Sequence, residues 1–188
     1  MKFKLIKKPE EAEKYFESYL PIIDMKIKMH FNLGTPLKNN SKFVLRSINK
    51  ALKFVMQKNA SAMITLPVCK KTIIEGGFKF KGQTEYISKK IFSETKKKNE
   101  EIMILTTRSP IDNGKNLIIG LLTTHDPLIE VIKKKINKKE IIKKICAFKK
   151  SLQKIWLIKN PRIGVCGVNP HAGEGGLIGS EEKQIIIP

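Results

Sequence analysis

Asn169-Pro170-His171-Ala172-Gly173-Glu174-Gly175-Gly176, running on to Gly179-Ser180-Glu181-Glu182, is the stretch whose reading decides the fold. Before it stands Arg162-Ile163-Gly164-Val165-Cys166-Gly167-Val168, an apolar run that predicts a buried strand. After it, Ser180-Glu181-Glu182 places a capping residue ahead of two acids, which predicts a helix start. A loop that leaves a strand and enters a helix is where α/β proteins place ligands. Glycines let the backbone take left-handed conformations and let a ligand come close. Pro170 stiffens the approach to His171, and an imidazole can bind a divalent metal or move a proton near neutral pH. The plainer alternative is a glycine-rich turn with a surface histidine.

Upstream, residues 129–158 read as mostly helix, divided at Asn137. Residues 117–124 are continuously apolar and predict a strand buried on both faces. His125-Asp126-Pro127-Leu128 leaves the end of that strand. Both His125 and His171 thus follow the carboxyl ends of apolar runs. Strands lying side by side would let the two rings face one ion. Otherwise each caps a neighbouring helix, since two histidines alone do not make a metal site. Residues 101–107 predict another strand and 109–114 a turn. Residues 85–98 predict a helix that starts at Gly82-Gln83-Thr84-Glu85, with lysines 96–98 as a solvated face. Residues 61–68 read as a parallel strand leaving the sheet after Leu66. Residues 70–75 predict a helical turn stopped by Gly76-Gly77, and residues 41–57 an amphipathic helix. Gly34-Thr35-Pro36 is a turn. Residues 1–33 form a poorly readable N-terminal segment, with a short helix at 9–16 and a strand at 24–31. His30 there reads as an ordinary residue.

The chain has 188 residues, 41% of them hydrophobic, which is a globular composition. No apolar run has transmembrane length, and the basic N-terminus is not followed by a signal-peptide core, so no membrane span and a cytoplasmic location are expected. Cys69, Cys146 and Cys166 form no CxxC pair and are expected as buried thiols in a reducing compartment. The net charge of +20 raises the reading of a basic nucleic-acid-binding module. Only Arg46, Arg108 and Arg162 are arginines, however, and no aromatics are interleaved for stacking. The lysines therefore read as a solvating bias, with weak non-specific polyanion binding at most and no specific nucleic-acid partner.

The 169–182 string resembles the signature of the 4-hydroxythreonine-4-phosphate dehydrogenase family of pyridoxal phosphate biosynthesis. The resemblance continues at Thr65-Leu66-Pro67, Lys70-Lys71, Gly82-Gln83-Thr84-Glu85-Tyr86 and Thr123-Thr124-His125-Asp126-Pro127-Leu128. It covers residues 34–188 as the α/β core, the central part of such a protein. It implies a mostly parallel sheet flanked by helices, like isocitrate and isopropylmalate dehydrogenases, incomplete at both ends. By resemblance, His125 and His171 are metal ligands and Thr84 contacts substrate. The family has a histidine where this chain has Gln83, and an amide can share hydrogen bonds but cannot carry a proton. The family's chemistry is metal-dependent, NAD(P)-linked oxidation and decarboxylation of 4-phosphooxy-threonine. The expected cofactors are a divalent cation of the Zn, Mg or Co class and NAD or NADP. The expected partners are a phosphorylated small-molecule substrate and a second copy, which donates a third metal-binding histidine across a homodimer. The competing reading is an inactive truncated remnant of that enzyme. An incomplete sheet would also expose apolar edges and leave the chain marginally stable.

Overall fold

The structure, a computed structural model, describes residues 2–30, 32–80, 82–97, 100–111 and 113–188. Phe31, at the end of the expected 24–31 strand, Lys98 in the lysine run and Asp112 in the 109–114 turn lie outside the described residues. Helices alternate with short strands in a mixed α/β chain that divides into two compact units, Met1–Lys90 and Ile91–Pro188.

In the first unit β1 (Phe3–Leu5) pairs in parallel with β2 (Leu20–Ile22), Phe3 opposite Leu20. A 3₁₀ turn, Pro9–Lys14, lies between them. Its first position takes proline because no backbone N–H is needed there. α1 (Ser41–Met56) carries Val44, Ile48 and Leu52 four residues apart, and buries Ile48 and Leu52. α2 (Lys70–Glu75) buries Ile73 and ends at Gly76. A β-carbon at Gly76 would overlap the Ser41 hydroxyl, so glycine lets the end of α2 close onto the start of α1. α3 (Gln83–Thr95) begins in this unit, where the sequence predicts, and runs past its boundary at Lys90. Its buried Tyr86 donates its hydroxyl to Asn49 Oδ1 at 2.7 Å and packs against Phe78 and Phe80 with ring centroids 5.3 and 5.1 Å away.

In the second unit β3 (Met103–Thr106) pairs antiparallel with β4 (Ile118–Leu121), Met103 opposite Leu121. α4 (Leu128–Glu130) runs into a π-helical stretch, Val131–Lys135. Asn137 is extended and caps α5 (Lys138–Lys154), its Oδ1 accepting the Glu140 N–H at 3.0 Å. The predicted break at Asn137 is thus a cap. Gly120 sits against α5: a β-carbon there would lie 3.0 Å from Phe148 Cγ.

Four expectations are corrected. Among the described residues the strands form two separate pairs, one parallel and one antiparallel, in place of a mostly parallel sheet. Segments 61–68 and 162–168 form no strand, nor do the described residues of 24–31. Pro67 has no N–H for a ladder, Lys26 turns left-handed with φ +54, and Gly164 and Gly167 weaken the third run. An apolar run becomes a strand only where a neighbour completes its hydrogen bonds. β4 is only partly covered, Ile119 being 42% exposed, because its single ladder partner is β3. All three cysteines are exposed, so the buried-thiol expectation fails for the same want of covering layers.

Candidate functional site

Five successive residues around His171 have positive φ: Ala172 (48°), Gly173 (76°), Glu174 (43°), Gly175 (65°) and Gly176 (102°). This is a left-handed turn. Each side chain held in that region costs about 1–2 kcal/mol, so a chain that must turn this way places glycine wherever it can. The turn is closed by Glu174 N–H to His171 O at 3.0 Å and Ile178 N–H to Gly173 O at 3.0 Å. Asn169 organises its start. Its Oδ1 accepts the His171 N–H at 2.9 Å and the Gly173 N–H at 3.5 Å, and its Nδ2 donates to Ile178 O at 3.2 Å.

The His171 ring is exposed, with Nδ1 3.2 Å from Glu174 Oε1. With the proton on Nδ1, this contact leaves the Nε2 lone pair facing outward, the arrangement by which carboxylates orient metal-binding or proton-transferring imidazoles. Glu182 stands behind the turn. Its carboxylate is buried, 7% exposed, and Oε1 accepts the Val168 N–H at 2.7 Å.

His125 lies just past β4, exposed, at φ +57. Histidine tolerates the left-handed region better than most residues, yet the conformation is uncommon and such strain clusters at working sites. His125 and His171 both belong to the second unit, Gln83 and Thr84 to the first. Gln83 is half-buried. Its Nε2 reaches Leu66 O at 3.5 Å and its buried Oε1 has no partner. Thr84 follows it, exposed, in the first turn of α3.

Imidazole nitrogens suit a divalent ion of the zinc class, but such an ion takes at least three protein ligands. Among the described residues no group of three or more His, Cys, Asp or Glu is gathered to hold one. Among the described residues one copy of the chain therefore gathers fewer than three such ligands.

Over residues 1–188 the chain matches the family model described as pyridoxal phosphate biosynthetic protein PdxA. The chain belongs to the PdxA family. A 4-hydroxythreonine-4-phosphate dehydrogenase of Wigglesworthia glossinidia brevipalpis is 40% identical to it over 169 residues, 90% of this chain and 47% of that protein. One from Sulfurihydrogenibium sp. (strain YO3AOP1) is 36% identical over 155 residues, 82% of this chain and 44% of that protein. One from Zymomonas mobilis is 33% identical over 180 residues, 96% of this chain and 50% of that protein. The chain spans about half the length of the curated relatives it matches.

The PdxA match takes in residues 1–33, where no motif was legible. Three parts of the loop were missed in the sequence: the Asn169 turn, the Glu174 contact and the Glu182–Val168 bond. Their signals were present as Asn-x-His, His-x-x-Glu and Gly-x-Glu-Glu. The first two are spacings at which a short polar side chain meets a nearby backbone N–H and a carboxylate meets an imidazole. Among the described residues no helix is long and apolar enough to cross a membrane.

Proposed function

We propose that this chain is the histidine-bearing part of a 4-hydroxythreonine-4-phosphate dehydrogenase, acting in pyridoxal phosphate biosynthesis. The observation that carries the reading is the family match over residues 1–188, with the left-handed turn presenting His171 inside it. In this reading residues 34–188 are the central part of an isocitrate-dehydrogenase-like fold. His125 and His171 supply two nitrogen ligands, and a third comes from a second copy in a cytoplasmic homodimer. A bound divalent ion would supply stabilisation of negative charge on the substrate oxygen during oxidation and decarboxylation. With its proton on Nδ1 towards Glu174, the His171 ring would present Nε2 without rearrangement. Thr84 offers its hydroxyl to the phosphorylated substrate. Gln83 can offer it only an amide, which hydrogen-bonds but moves no proton. NAD or NADP would accept the hydride.

One observation favours the second reading, an inactive relative: Gln83, standing where the resemblance puts a histidine, leaves its buried Oε1 without a partner. Calorimetric titration with cobalt(II) should show binding that His125→Ala or His171→Ala abolishes. Binding indifferent to both changes would remove the metal reading. NAD(P) reduction with 4-phosphooxy-threonine and cobalt(II) separates the two readings: measurable turnover supports the enzyme, and metal binding without turnover supports the inactive relative.

A further inference from the structure

We propose that Glu182 is the positioning residue for His171, acting through the backbone of the turn. The inference rests on His171 being the working side chain of this loop. An ionised carboxylate is among the groups least often buried, and burying one is costly unless it is hydrogen-bonded. Glu182 is buried all the same, 7% exposed, and only one of its oxygens is used. Oε1 accepts the Val168 N–H at 2.7 Å, while Oε2 is buried without a partner.

The motif glycines are cut to fit this carboxylate. A β-carbon at Gly173 would stand 2.8 Å from Oε2, and one at Gly167 would stand 3.1 Å from Oε1 and 3.0 Å from the Ala172 α-carbon. The carboxylate thus fills the space that side chains on both limbs of the loop would otherwise take. It accepts a hydrogen bond from the incoming limb at Val168 and stands against Gly173, in the left-handed turn that begins one residue after His171. An apolar side chain would fill the same volume without leaving a buried oxygen unpartnered, so packing alone does not account for glutamate here. Fixing the turn means fixing where the imidazole points.

The test uses the full chain without metal or substrate. Nitrogen-15 spectra report the His171 ring tautomer, and hydrogen exchange reports the Val168 amide. Glu182→Gln keeps an acceptor for the Val168 N–H and should keep the native ring signature. Glu182→Ala should speed Val168 exchange by roughly tenfold, the loss of one hydrogen bond, and shift the His171 signals towards a free imidazole while Ile141 and Leu152 stay protected. A folded Glu182→Ala chain with native His171 signals would overturn the proposal. Should that variant not fold, two glycine changes decide. Gly173→Ala and Gly175→Ala both force a side chain into positive φ, at 76° and 65°, but a β-carbon at Gly175 meets nothing within 4 Å. A β-carbon at Gly173 would also stand 3.2 Å from Gly179 O, so both changes are repeated with Glu182→Asp, which withdraws the carboxylate: a displacement of His171 by Gly173→Ala that shrinks in that background supports the anchor, and one that does not shrink overturns it. No readout depends on turnover or metal binding, so the proposal can fail while the dehydrogenase reading stands, and the reverse.

Discussion

Ala172 and Glu174 are the two residues with side chains in the run of five positive φ angles. Ala172 makes no side-chain hydrogen bond that would offset its strain. Ala172→Gly is therefore expected to stabilise the chain by roughly 0.5 kcal/mol, the relief of strain less the added freedom of the unfolded chain. Urea unfolding measures this, and a loss of stability would mean that the turn is not left-handed in solution. A second residue-scale expectation concerns Cys69. The Thr72 hydroxyl donates to its Sγ at 3.1 Å and draws the exposed thiol below its usual range. Thiolate is the reactive form, so iodoacetamide should label Cys69 fastest of the three cysteines at neutral pH. Thr72→Val should slow that labelling several-fold, as mass spectrometry of timed aliquots would show.

At the scale of elements, α5 depends on its cap. Asn137→Ala leaves the Glu140 N–H without its acceptor and should cost about 1 kcal/mol. The same turn holds the ion pair Glu140–Lys143, with Nζ and Oε1 2.6 Å apart. Lys143 donates to Glu140 and holds its carboxyl below the usual range, and that bond in turn raises Lys143 above its own. A depressed carboxyl stabilises the fold at neutral pH and loses that contribution as pH falls below the ordinary glutamate range. The raised lysine contributes throughout neutral pH and loses its share only above the ordinary lysine range. Glu140→Gln should therefore lower the urea midpoint at pH 7 and leave it nearly unchanged at pH 3. An equal loss at both values would show that the pair is not linked to stability.

For the whole molecule, the decisive quantity is how little is covered. Among the described residues seven apolar side chains are buried, and none of the large ones is less than 2% exposed. Leu33, Ile64 and Leu177 stand 94%, 93% and 89% exposed. Burial at about 25 cal/mol per Å² is the main favourable term in folding, so a chain that leaves this much apolar surface in water is expected to be marginal. It should bind the dye ANS near neutral pH and unfold at low urea. The net charge of +20 adds self-repulsion that salt screens. Raising NaCl should then lift the urea midpoint, and a midpoint that falls with salt would point to specific ion pairs as the larger contribution.

Helices 41–56, 70–75, 83–95 and 138–154 were legible because their signals are local: apolar spacing, glycine stops and an asparagine cap all act within a few residues of where they stand. The family was legible because His171 and its glycines form an uninterrupted string. The sheet was not, since a strand's hydrogen bonds close on a neighbour that its own residues do not specify, and 61–68 and 162–168 read as strands without one. Nor was the role of Glu182 legible. It stands nine positions after Gly173, and only the folded turn brings its carboxylate to the place where a β-carbon would otherwise be.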